Sequence, residues 1–115
     1  MRNVLIIVSG DPRISPRPAE AIRLAAGLAQ WPRIKVRVYL RDAAVLALNE
    51  QPDDLMDGEL FRDCLPLTVK TDCPIFVQTH SLFLRDLGRA PVAVAELSDE
   101  QLAAEIARSH SVIRF

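Results

Sequence analysis

Three short segments carry most of the side chains that could do chemistry. They are Ser9-Gly10-Asp11-Pro12-Arg13, Arg41-Asp42 and Gln78-Thr79-His80-Ser81. Together they offer two carboxylates, two arginines, an imidazole and several hydroxyls. Ser9, Asp11, Arg13, Arg41, Asp42, Thr79, His80 and Ser81 are therefore the candidate ligand-binding residues. The Ser9-Gly10-Asp11 turn precedes a predicted helix, so its N–H groups could hold an anion. It has neither the Gly-Lys-Ser/Thr ending of a phosphate loop nor the three glycines of a dinucleotide turn. No cofactor is predicted. His80, just past a predicted strand, could act as a base or a hydrogen-bond donor. Paired with Asp11 it would suit a small hydrolase or transferase, provided the two come within hydrogen-bond reach. His110 is expected at the opposite end of the fold, in a structural role.

Cys64 and Cys73 are the two cysteines. With His80 and His110 they make a nominal Cys2His2 set. The set lacks the short Cys-x2–4-Cys spacing of a zinc site, so no metal is predicted. The acids Glu50, Asp53, Asp54, Asp57 and Glu59 lack the ordered spacing of a calcium loop and read as a solvated segment.

The elements that must position these residues alternate along the chain. Val4 to Val8 is a continuous apolar run, the mark of a strand buried on both faces. Ala19 to Gln30 reads as a helix opened by Pro16 and Pro18. Its polar positions, Glu20, Arg23, Gly27 and Gln30, fall within an arc of about 80°. The apolar surplus calls for cover by another helix or another subunit. Ile34 to Leu40 alternates, with Lys35, Arg37 and Tyr39 on a wetter face. Ala43 to Leu48 reads as a short apolar helix, and Leu60 to Leu65 as another, stopped by Pro66. Ile75 to Gln78 is a third strand. Ser81 to Leu87 is a helix ended by Gly88, and Val92 to Leu97 is a fourth strand. Ser98-Asp99-Glu100-Gln101 is a capping box. Its helix runs to about Ser109 with Leu102, Ala103 and Ile106 inward. Val112 to Phe115 is a fifth strand. The alternation predicts a three-layer α/β/α fold, a single domain over residues 1–115 with a five-stranded, mostly parallel sheet. In such a sheet ligands bind beyond the carboxyl ends of the strands, where the three chemistry-bearing segments fall.

Composition narrows the function classes. The chain has 115 residues, a quarter of them charged, and a net charge of −1. No basic field speaks for nucleic acid, and no apolar run approaches the ~20 residues of a membrane span. The apolar N-terminal stretch is too short for a signal peptide, so a cytoplasmic protein is expected.

Four segments together resemble the DsrE/DsrF-like family, which includes the sulfur-relay subunits of the Tus type. They are Val4 to Ser9 with its loop, the small-residue helix Ala21 to Ala29, Val36 to Val45, and Ser98 to Phe115. The resemblance implies a five-stranded α/β/α domain that assembles into dimers, trimers or hexamers, with a sulfur-relay protein as a possible partner. It also implies a cysteine that takes up persulfide sulfur. In the family that cysteine follows the third main strand, where this chain has Gln78-Thr79-His80. The expected function is therefore a DsrE-like, ligand- or partner-binding homo-oligomer without the usual sulfur-carrying cysteine. One alternative is an active persulfide carrier with Cys64 or Cys73 as its catalytic residue. The other is a hydrolase or transferase using His80 and Asp11.

Overall fold

A computed structural model describes residues 1–87 and 90–115. The helix end expected at Gly88 lies outside the described residues. Five strands, β1 (Arg2–Val8), β2 (Ile34–Leu40), β3 (Ile75–Gln78), β4 (Ala95–Leu97) and β5 (Ser111–Arg114), form one sheet in the order β4-β3-β2-β1-β5. Every pairing is parallel, so the sheet is wholly and not mostly parallel. Helices α1 (Arg17–Leu28), α2 (Gly58–Lys70) and α3 (Asp99–Arg108) complete the three layers. Asp42–Leu48 and Leu82–Asp86, both expected as helices, are 3₁₀ helices.

One face of the sheet carries most of the core. Val4, Ile6, Val8, Val36, Val38 and Leu40 project from β1 and β2 into a cluster with Ala21, Ile22 and Ala25 of α1 and Phe61 and Leu65 of α2. Alternate residues point the other way. There Leu5, Ile7 and Tyr39 meet Leu97 of β4 and Leu102 of α3.

One expectation is met by a helix, and three change. The apolar surplus of α1 meets α2, which packs directly against it; Leu24 and Leu28 stay half-buried. The wetter face of β2 is not wet: Arg37 and Tyr39 are buried beneath the α3 layer, and Lys35 alone stays exposed. Arg37 tolerates this because its Nη1 lies 3.1 Å from Glu105 Oε2 of α3, an ionic contact outside hydrogen-bond angles. Ala103 faces solvent, leaving Leu102 and Ile106 as the inward pair of α3. Pro66 does not stop α2, which runs on to Lys70. Proline removes one intrahelical hydrogen bond, but Phe61, Leu65 and Thr68 are buried on one side of the helix while Pro66 is exposed on the other. The buried stripe holds the last turn, and Thr68 Oγ1 donates to the Leu65 carbonyl at 2.6 Å.

The start of α2 is fixed sterically. Asp57 has a left-handed backbone (φ 53°). A Cβ on Gly58 would stand 1.9 Å from the Pro52 carbonyl oxygen, so only glycine fits where the acidic segment turns into the helix. At α3 the predicted capping box is complete: Ser98 Oγ accepts from Gln101 N–H, and Gln101 Oε1 accepts from Ser98 N–H.

Candidate functional site

In a parallel sheet the crevice for a ligand opens where the connections diverge to opposite faces. Here α1 leaves β1 on one face and α3 enters β5 from the other, so that point lies between β1 and β5. It is closed by backbone. Ser9 N–H donates to the Phe115 carbonyl at 3.0 Å, and Ser9 Oγ donates to the same oxygen at 3.3 Å. The anion cradle expected at Ser9-Gly10-Asp11 is thus partly used up. The helix that follows begins at Arg17, two residues before the expected Ala19, and so stands six residues beyond Asp11. Asp11 bonds to Arg13 through backbone and guanidinium, with Nη2–Oδ2 at 2.9 Å. That guanidinium holds the Asp11 carboxyl below the usual carboxylate range.

The opening lies one strand pair away, beyond β2 and β3. Asp42, Thr79, His80, Ser81 and Phe83 line a cleft of about 230 Å³ there. Two of these residues have left-handed backbones, Asp42 at φ 51° and His80 at φ 61°. Aspartate and histidine are among the residues that enter this region most readily, and Asp57 and Asp72 adopt it away from the cleft. Gln78 helps to hold the arrangement: its Oε1 accepts the Asp42 N–H at 3.0 Å. Arg41 Nε lies 3.3 Å from Asp42 Oδ2. Ser81 Oγ accepts the Phe83 N–H and so caps the Leu82–Asp86 turn. Arg13 stacks over the Phe83 ring at 5.9 Å, which brings the Asp11–Arg13 pair to the same edge.

Seven of the eight candidate ligand-binding residues therefore converge on one rim, and Ser9 lies beside it. Gln78 and Phe83 are additions. Phe83 had been assigned to an ordinary helix, and nothing in its sequence context marks it as lining a cleft. The carboxylates are occupied by arginines: Asp11 by Arg13 and Asp42 by Arg41. His80 is exposed and free of hydrogen bonds among the described residues. The open chemistry of the cleft is thus an imidazole, hydroxyls and an aromatic wall.

The two thiols lie elsewhere. Cys73 precedes β3 at the far end of the sheet, is buried, and has its pKa pushed up by burial to about 12. Cys64 is half-buried in the middle of α2; burial raises its pKa and Asp63 adds to the shift, while Arg23 of α1 opposes it. A sulfur-accepting cysteine needs the opposite environment, one that favours thiolate. His110 is placed at the amino end of the sheet, where its Nδ1 accepts the Asn3 N–H at 2.8 Å. Among the described residues no group of three His, Cys, Asp or Glu side chains could hold a metal ion. No helix among them is long and apolar enough to cross a membrane.

No family model matches the chain, and no curated protein matches it. Among solved structures it is similar to the crystal structure of the YchN protein from E. coli, with 21% sequence identity, a TM-score of 0.80 and 100% of both chains covered. At that identity the likeness concerns architecture. The five-stranded parallel sheet with its flanking helices is a fold the two chains share from end to end.

Proposed function

We propose that this protein is a DsrE-like domain that binds a small polar ligand or a protein partner at the β2–β3 edge, works as a homo-oligomer, and carries no persulfide. One observation carries the reading. Where the family resemblance calls for a sulfur-accepting cysteine, the chain has Gln78-Thr79-His80, with His80 in a left-handed conformation on an open cleft. The shared fold supports the sulfur-relay kinship. The burial of Cys73 and the raised pKa of Cys64 support the absence of carrier chemistry. The cleft suits a ligand that accepts hydrogen bonds from imidazole and hydroxyl groups and stacks on Phe83. The binding is electrically mild, because the arginines at its rim already face carboxylates.

The test is incubation of the full chain with a cysteine desulfurase and cysteine, followed by intact-mass measurement. The mass is expected to stay unchanged. A gain of about 32 Da that disappears in Cys64→Ser or Cys73→Ser would overturn the non-carrier reading and establish the persulfide alternative.

A further inference from the structure

The polar atoms of the β2–β3 cleft are already sorted by the bonds they make. A backbone N–H only donates, so the Asp42 N–H, 3.0 Å away, fixes which end of the Gln78 amide is oxygen. The other end, Nε2, keeps its N–H donors without a partner among the described residues. Ser81 Oγ accepts the Phe83 N–H at 3.3 Å, so its own proton remains to be donated. Thr79 places its N–H on the Leu97 carbonyl at 3.1 Å, and its hydroxyl is unbonded among the described residues. The polar wall of the cleft is therefore rich in donors. Leu82 and Phe83 form the apolar wall, and Leu82 is 76% exposed, an aliphatic side chain left to water.

We infer that the cleft takes a small, flat, uncharged ring bearing carbonyl oxygen, of the cyclic amide or imide class, with Gln78 as the residue that selects the carbonyl. The inference rests on the reading of this cleft as the binding site and names the class of its ligand. Charge decides against the alternatives. Apart from the His80 imidazole, Asp42 is the one ionisable side chain lining the cleft among the described residues, and Arg41 meets it from outside the lining. An anion would lie against that carboxylate, and a cation against the Gln78 and Ser81 donors. A sugar must place donors as well as acceptors, and the cleft offers few acceptors. A carbonyl oxygen only accepts. A ring N–H beside it finds its acceptor in the Thr79 hydroxyl. The volume of about 230 Å³ falls below the ~300 Å³ at which pockets for drug-sized ligands begin, so it suits one ring and not a nucleotide. The face of such a ring covers the apolar surface that Leu82 and Phe83 now present to water.

Amide NMR on the full chain tests the inference, with uracil and 2-pyridone as neutral probes and benzoate and benzamidine as charged ones. Uracil and 2-pyridone are expected to move the signals of Thr79 to Phe83, and to bind about tenfold or more tightly than the charged pair. Gln78→Glu keeps an oxygen for the Asp42 N–H and removes the donors. It is expected to weaken uracil binding by about tenfold with an unchanged circular dichroism spectrum. Thr79→Val, of equal shape, is expected to weaken it by about threefold. Ala103→Glu, on the exposed side of α3, is expected to leave binding as it was. Uracil binding indifferent to both cleft substitutions would overturn the assignment of the ring and leave the cleft standing as a site. Benzoate or benzamidine binding as tightly as uracil would do the same. Silence of Thr79 to Phe83 towards every probe would also overturn it, while the mass measurement with the desulfurase decides the non-carrier reading separately.

Discussion

On the α1–α2 face, aliphatic side chains of β1 and β2 meet the alanines of one helix and the Phe61 and Leu65 of another, and the buried hydroxyl of Thr68 is bonded within its own helix. On the α3 face, Leu5, Ile7 and Tyr39 meet a single ten-residue helix, and an arginine, a glutamate and a phenol are enclosed with them. The first face is a continuous apolar core and supplies stability through burial. The second is thin, and its geometry depends on one ionic contact between β2 and α3. The α3 layer is therefore expected to be the first part of the fold to loosen, since few apolar contacts hold it.

The largest test of that contrast is truncation. Phe61→Ala on the thick face should cost about 3–5 kcal/mol in urea unfolding, and Leu102→Ala on the thin face about 2. Equal losses would break the comparison. Next comes the ion pair. Glu105→Ala leaves Arg37 enclosed without its partner and should cost about 3 kcal/mol, whereas Arg37→Met with Glu105→Leu should fall within about 1 kcal/mol of the natural protein. A severe loss in the double variant would mean that the pair does more than neutralise a buried charge.

Alkaline titration sharpens the contrast further. The Cys73 thiol has its pKa raised from 9.0 to about 12 in the folded chain. Below pH 9 both states hold the proton and stability is full. Between pH 9 and 12 the unfolded thiol ionises while the folded one does not. Stability should then fall by about 1.4 kcal/mol per pH unit. Cys73→Ala should remove that slope. The smallest expected effect belongs to Tyr39, whose buried hydroxyl has no hydrogen-bond partner among the described residues. Tyr39→Phe should change stability by less than about 1 kcal/mol at pH 7. Burial also raises the Tyr39 pKa despite the opposing charge of Arg41. The variant should therefore lose less stability above pH 10 than the natural protein does.

Much of the fold was legible because local and global signals agree in it. The run Val4 to Val8 had to be a central strand, and the Ser98–Gln101 pattern formed its capping box. The misreadings share a cause: a distant partner overrode a local rule. Arg37 and Tyr39 look solvent-facing until α3, 60 residues later, covers them. Pro66 looks like a stop until its helix is seen to be held by Phe61, Leu65 and Thr68. The Ser9 loop looks like an anion cradle until Phe115 occupies it. At the site, the convergence of Arg41, Asp42, Thr79 and His80 followed from parallel topology alone. The left-handed backbones of Asp42 and His80, and the Asp11–Arg13 fork, depend on side-chain geometry that residue spacing does not encode.

The pairing of β5 with β1 has a consequence for synthesis. The His110 N–H reaches the Asn3 carbonyl across 107 positions of sequence, so β1 receives its second neighbour only from residues made long after it. While the chain is being extended, β1 offers an open, strongly apolar edge with only β2 available beside it. The nascent protein is then most prone to sticking to other chains, and release of Ser111–Arg114 is the step that ends the exposure.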